Sequence, residues 1–114
     1  MIKLSELNSS QGRIVRETTA PILIVEKGEE RTETIRVRYY SLSIKEGKEY
    51  RKKLEEGGGE SYWSDLLFPI VAGLPDIVDG KGKPVKVTLD VLESLNSLNL
   101  QAIHKAIQED LRPK

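Results

Sequence analysis

Ile22-Leu23-Ile24-Val25 and Thr32-Glu33-Thr34-Ile35-Arg36-Val37-Arg38-Tyr39-Tyr40 are the two stretches that decide the fold. The first is a compact apolar run in which three of the four residues are β-branched, and it is too short for a globular helix. In the second, Ile35, Val37 and Tyr39 alternate with Thr34, Arg36 and Arg38, the period of a strand with one buried face. Between them Lys27-Gly28-Glu29-Glu30 reads as a turn, because Gly28 takes positive φ without strain. The pair predicts a β-hairpin, with Arg13-Ile14-Val15-Arg16 available as a third strand. Two strands alone are marginal in water, so helices or another chain must pack on this hairpin.

Helical signals begin where the alternation ends. Ser43-Ile44-Lys45-Glu46 is a capping-box pattern that opens a helix through Glu56, and Gly57-Gly58-Gly59 stops it. Only Ile44, Tyr50 and Leu54 are apolar in it, so the helix buries a narrow stripe. Its charge-rich remainder, Lys45 to Glu56, reads as a solvated face rather than a binding patch. The glycines read as a connector rather than a phosphate cradle. Ser61 to Ala72 is the most apolar block of the chain, and Pro69 inside it predicts a kink, a break or a new helix start. Gly73 to Pro84 reads as loop. Thr88 is a good N-cap, with Asp90 in the first turn, for a short helix ending near Leu95. A last helix runs from about Leu98 to Leu111, with Leu100, Ile103, Ile107 and Leu111 on one stripe and Ala102 and Ala106 beside it. Pro113 ends it. The expected fold class is α+β: an N-terminal β-hairpin followed by about four short helices. They form a single domain over residues 1–114, β-rich over 1–42 and helical over 43–114.

Composition sets the outer bounds. The chain has 114 residues, 38% hydrophobic and 32% charged, which is enough for one modest core and unlike the signature of disorder. Lys+Arg and Asp+Glu both total 18. A nucleic-acid binder usually carries a basic excess, and none is visible. Near-zero net charge permits association with itself or with a partner. There is no cysteine, so disulfides, thiolate metal sites and Cys nucleophiles are excluded. No apolar run approaches the roughly 20 residues of a membrane span, and Met1-Ile2-Lys3-Leu4-Ser5-Glu6 lacks a signal-peptide pattern. The expected location is the cytosol.

Catalytic and metal chemistry finds little support. His104 is the only histidine, so one chain cannot supply a two-histidine metal site. It sits at the edge of an apolar stripe and reads as a surface or partly packed residue. No strand–nucleophile–helix elbow with glycines around a serine is present. Asp76, Asp79 and Gly80 fall short of a calcium loop, which needs further oxygen ligands where this segment brings Ile77, Val78 and Lys81. Gly82-Lys83 falls short of a phosphate loop, with Ile77 in place of the required glycine and Pro84 in place of Ser/Thr. Asp79-Gly80-Lys81-Gly82 is better explained as a tight turn. The expectation is no enzyme, no cofactor and no metal.

What remains is apolar surface. Tyr39, Tyr40, Tyr62, Trp63, Leu66, Leu67 and Phe68 hold nearly all the aromatic content. Aromatic residues are enriched in interface hot spots. Either these residues are simply the core, or part of the set docks a partner.

Asp76-Ile77-Val78-Asp79-Gly80-Lys81-Gly82-Lys83-Pro84-Val85-Lys86-Val87-Thr88, a short helix, and then Leu98-Asn99-Leu100-Gln101-Ala102-Ile103-His104-Lys105-Ala106-Ile107-Gln108-Glu109-Asp110-Leu111-Arg112-Pro113 follow a recognisable order. This order, over about residues 32–114, resembles the small tail assembly chaperones of long-tailed phages and prophages. Those proteins similarly carry an acidic Asp/Gly turn, a Pro-Val-x-Val/Leu-Thr segment, a short helix and a last helix of the type Ala-Ile-x-x-Ala-Ile-x-Glu-Asp. Relatives often have a Trp just before the acidic turn, whereas this chain has Leu74-Pro75 there and its Trp at position 63.

The resemblance implies a non-enzymatic, cytoplasmic assembly factor of the host cell that keeps the hydrophobic tape-measure protein soluble while tail-tube subunits polymerise around it. On that expectation the partner groove involves Trp63, Leu66, Leu67, Phe68 and Val71, with Ile103 and Ile107. The partners are the tape-measure or tail-tube protein, with self-association permitted and neither nucleic acid nor membrane expected. The competing expectation is a structural tail component that self-assembles through its hairpin.

Overall fold

The structure is a computed structural model that describes residues 14–57 and 62–111. Two antiparallel strands, β1 (Val15–Glu26) and β2 (Glu29–Tyr40), form a hairpin of 12 residues a side. Glu26 pairs with Glu29, which leaves a two-residue loop, Lys27-Gly28. Both loop residues have positive φ, 52° and 79°. That pattern belongs to the type I′ turn, whose twist matches the twist of the strands it joins. Gly28 adopts it freely; Lys27 does so against the steric preference of an L side chain.

The expected hairpin is present and is longer than its sequence signal. Val15-Arg16 is the start of β1 itself, so it adds no separate strand, and Arg13 lies outside the described residues. The third strand is β3 (Val71–Gly73), antiparallel to β2 in the order β1-β2-β3. Three residues carry no readable period, which is why this strand was invisible in the sequence.

Register explains the proline inside β1. In a two-residue hairpin the pair flanking the loop is hydrogen-bonded, so alternation turns the N–H and C=O of Leu23 away from β2. Pro21, two residues earlier, shares that orientation. Its missing N–H therefore falls on the outer edge, where the β1–β2 ladder loses nothing.

The chain continues through α1 (Ile44–Glu56), α2 (Tyr62–Leu67), β3, α3 (Leu89–Ser94) and α4 (Ser97–Leu111). The capping box is present in full at α1: Glu46 N–H donates to the Ser43 hydroxyl and Ser43 N–H donates to the Glu46 carboxylate, both at 3.2 Å. Thr88 caps α3 by accepting from Val91 N–H at 3.1 Å. Asn96 opens α4 by accepting from Leu98 N–H at 2.8 Å. Helix α2 stops two residues before Pro69, because the residue ahead of a proline is pushed out of the helical region. Of the three outcomes open for that proline, the chain takes the break and then enters β3.

Ala20, Ile22, Ile35, Val37 and Tyr39 face inward from the sheet and meet Leu67, Leu74, Leu92, Leu100, Ile103 and Ile107 from the helical half. Helix α4 runs antiparallel to β1: Asn99 near its start meets Leu23, and Asp110 near its end lies 3.8 Å from Arg16. Tyr39, fully buried, donates its hydroxyl hydrogen bond to Asp110. Burial and that bond to a carboxylate push the phenol up to about 12. The other sheet face is solvated and laced by polar pairs, Arg38 to Glu17 at 3.1 Å and Arg36 to Asp76 at 2.7 Å. One covered and one wet face is the usual antiparallel arrangement.

Candidate protein-binding surface

Residues 79–82 form the tight turn read for them, closed by a Val78–Pro84 bridge, whereas Gly73, read as the first loop residue, is the last residue of β3. Asp79 N–H donates to the Lys83 carbonyl at 2.8 Å, and the Asp79 carboxylate accepts from the N–H groups of Lys81 and Lys83. Among the described residues no group of three or more His, Asp or Glu side chains gathers to hold a metal. No helix among them is long and apolar enough to cross a membrane.

The nominated partner-binding residues split sharply. Leu66, Leu67, Val71, Ile103 and Ile107 are buried within the chain's own core, Leu67 and Ile103 completely. The expected open groove through them is closed. The reason is the sheet: its apolar face, to which β3 adds Val71, needs a cover, and α2 and α4 supply it with Leu67, Ile103 and Ile107. Trp63 is half-buried, and Phe68 is 46% exposed. Of the seven, Phe68 alone is a surface residue.

A different apolar surface lies beside them. Ile14, Val15, Ile44 and Phe68 are exposed, Ile44 at 80% and Ile14 at 69%. The segments that carry them meet at one end of the sheet, where Val15 pairs with Tyr40 and, by alternation with the inward Ala20 and Ile22, faces the solvated side. Ser41 N–H donates to the Ile14 carbonyl and Tyr40 N–H to the Ile70 carbonyl, each at 2.8 Å. Ile44 follows Ser41 by three residues, and Phe68 precedes Ile70 by two. Between α1 and the α2–β3 corner runs a groove of about 90 Å³, lined by Leu42, Tyr50, Leu66, Pro69 and Ile70, with Glu46, Glu49 and Lys53 on its α1 side. Sequence reasoning passed over Leu42, Pro69 and Ile14, because nothing local marks a residue as the rim of a groove made by distant elements. Ile44 and Tyr50 carried a weak signal as the apolar positions of an otherwise polar helix.

An aromatic layer backs the groove. The His104 ring lies 5.8 Å from Tyr50 and 5.2 Å from Trp63, centroid to centroid, and Tyr62 meets Trp63 edge-on at 5.0 Å. Tyr62 donates to the Leu54 carbonyl at 2.9 Å. Gln108 donates to the Tyr50 hydroxyl at 3.5 Å. Burial pushes the Tyr50 phenol up to about 12 and pushes the His104 imidazole below its ordinary value. Among the described residues the buried His104 Nε2 atom has no hydrogen-bond partner.

A second concavity, about 330 Å³, opens at the hairpin tip between Glu26, Lys27, Glu29, Glu30 and Arg31. Arg31 is held there by Glu26 and, at 3.4 Å, by Glu33, and the Glu26 hydrogen bond raises its pKa. Every residue of its lining is charged.

No family model, no curated protein and no solved structure matches this chain. The functional reading therefore rests on the surface itself.

Proposed function

We propose that this chain is a non-enzymatic protein-binding module that captures apolar segments of another polypeptide. The single observation behind this reading is a small apolar-walled groove between α1 and the α2–β3 corner, at the end of the sheet where the segments carrying the exposed Ile14, Ile44 and Phe68 meet. Isolated exposed apolar residues are ordinary, whereas several brought to one end of a fold beside a groove fit an interaction site. The groove is also far below the roughly 300–1,000 Å³ of a typical small-molecule pocket. At about 90 Å³ it suits one aliphatic side chain of a partner, with the surrounding residues as rim. A module of this kind holds its partner by many weak apolar contacts and releases it readily.

The finer reading follows the resemblance of residues 32–114. The chain acts in the host cytoplasm as a phage or prophage tail assembly chaperone, binding the hydrophobic tape-measure protein and tail subunits during tail morphogenesis. Co-expression with a tape-measure protein of a long-tailed phage tests it. The wild-type chain keeps that protein in the supernatant, and the pair Ile44→Ser and Phe68→Ser does not. Equal precipitation with and without the wild-type chain overturns the chaperone reading.

A second reading, a self-assembling structural tail component, draws on the far end of the hairpin, where Val25 is 63% exposed. Sedimentation separates the two readings: a closed oligomer of the chain alone favours self-assembly.

A further inference from the structure

The two long edges of the hairpin are finished differently. Glu29 and Glu26, the pair next to the loop, are hydrogen-bonded. Alternation therefore turns the N–H and C=O of Glu30, Thr32, Thr34, Arg36, Arg38 and Tyr40 away from β1. The upper part of this edge is occupied. Tyr40 N–H donates to the Ile70 carbonyl at 2.8 Å, Arg38 pairs with Gly73 of β3, and Arg36 N–H donates to the Asp76 carboxylate at 2.7 Å. Past Asp76 the cover stops. Among the described residues no hydrogen bond reaches the outward groups of Thr34, Thr32 and Glu30, and every residue from Glu29 to Thr34 is exposed.

Over the same span the β1 edge is blunted, by the Asn99 amide on Leu23 and by Pro21. From Glu29 to Ile35 the β2 edge has no such device: neither proline, lysine nor glycine stands there, and the register runs without a bulge. An edge left in this state is a template for another strand. Its charges favour one strand in particular. Arg31 and Glu33 lie on the inner face, one on each side of Thr32, with Arg31 Nε 3.4 Å from the Glu33 carboxylate.

We infer that the occupant of this edge is β2 of a second copy, paired antiparallel from Glu30 to Thr34 about a two-fold axis at Thr32. In that register Thr32 stands opposite Thr32 of the second copy and Glu30 opposite its Thr34. Arg31 stands opposite its Glu33, and the symmetry repeats each pair. Moving the register by two residues sets Arg31 against Arg31 in one direction and Glu33 against Glu33 in the other. Like charges directly opposite are destabilising, so charge selects this register. Two hairpin tips become one four-stranded sheet, which offsets the weakness of a lone two-stranded tip. A two-fold pair closes at two copies. The groove beside α1 lies at the other end of the sheet and stays open in both. The inference rests on the self-assembly reading above and adds to it the edge, the register and the symmetry.

Sedimentation equilibrium of the full chain tests it. Wild type is expected to show a monomer–dimer equilibrium. Arg31→Glu and Glu33→Arg each oppose like charges in both pairs and weaken the dimer at least ~10-fold. An equal mixture of these two variants opposes unlike charges again and regains wild-type affinity to within ~3-fold. Thr32→Pro removes an outward N–H while the β1–β2 ladder stays intact, as Pro21 does in β1, so the dimer is lost with circular dichroism unchanged. A wild-type chain that is monomeric up to about 1 mM overturns the inference and the self-assembly reading together. An oligomer that neither the charge reversals nor Thr32→Pro weakens overturns the inference alone, because the copies then meet elsewhere. So does a mixture of the two charge variants that stays monomeric.

Discussion

The side-chain amide of Asn99 closes on both backbone groups of Leu23, 76 residues away in sequence. Its oxygen accepts from Leu23 N–H at 2.9 Å and its nitrogen donates to the Leu23 carbonyl at 3.0 Å. The amide thus stands where the next strand of the sheet would stand. With Pro21 lacking an N–H on the same side, the middle of the β1 edge offers little to a foreign strand, which is how natural sheets avoid edge-to-edge association.

Asn99→Ala leaves a donor and an acceptor of Leu23 without that partner. The expected loss is about 1–3 kcal/mol of unfolding free energy, read from urea denaturation. Asn99→Asp is expected to be at least as damaging, since a carboxylate repels the Leu23 carbonyl that the amide nitrogen satisfied. An unchanged midpoint in both variants refutes the edge-capping role.

Adjacent residues 67 and 68 separate core from surface. Leu67 is fully buried and Phe68 is 46% exposed. Leu67→Ala is expected to cost about 2–5 kcal/mol through lost burial and a cavity. Phe68→Ser is expected to stay within about 0.5 kcal/mol of wild type while weakening partner capture. Thermal melts beside a binding assay on both variants check the contrast.

Asp76 accepts from the Arg36 backbone N–H at 2.7 Å and from its guanidinium at 2.7 and 3.2 Å. The guanidinium hydrogen bonds, then the backbone bond, hold its carboxyl at about 2, below the ordinary 3.8. A depressed carboxylate pKa contributes stability above the unfolded value, and that contribution disappears as pH falls from 3.8 through 2. Wild type should therefore lose stability more steeply than Asp76→Asn over that interval, seen as converging urea midpoints. Parallel pH profiles refute it.

Lys27 holds φ at 52° in the first position of the hairpin loop. Asparagine tolerates that region better than lysine and is favoured in type I′ turns. Lys27→Asn is expected to raise stability by about 0.5–1 kcal/mol, visible as a higher melting temperature, with partner binding unaffected because the loop lies at the far end of the hairpin.

Much of the fold was legible along the chain. Alternation at Ile35, Val37 and Tyr39, the capping box at Ser43, the Thr88 cap and the stripe through Leu100, Ile103 and Ile107 each depend on neighbours within a few residues. The site was far less legible. Residues 62–71 announced themselves as an apolar surplus, but whether they cover this chain's own sheet or another protein was open until α4 and β3 were in place.

The division follows from the range of the forces. Periodicity, caps and turn residues act within one turn or one loop, so the amino-acid order alone determined a β-hairpin followed by helices. The partners of Leu23, Arg36 and Tyr39 are Asn99, Asp76 and Asp110, 40 to 76 residues downstream. Only the folded chain decides such pairings, and with them the choice of Leu67 as core and Phe68 as surface, because burial is a property of the space that distant elements enclose together.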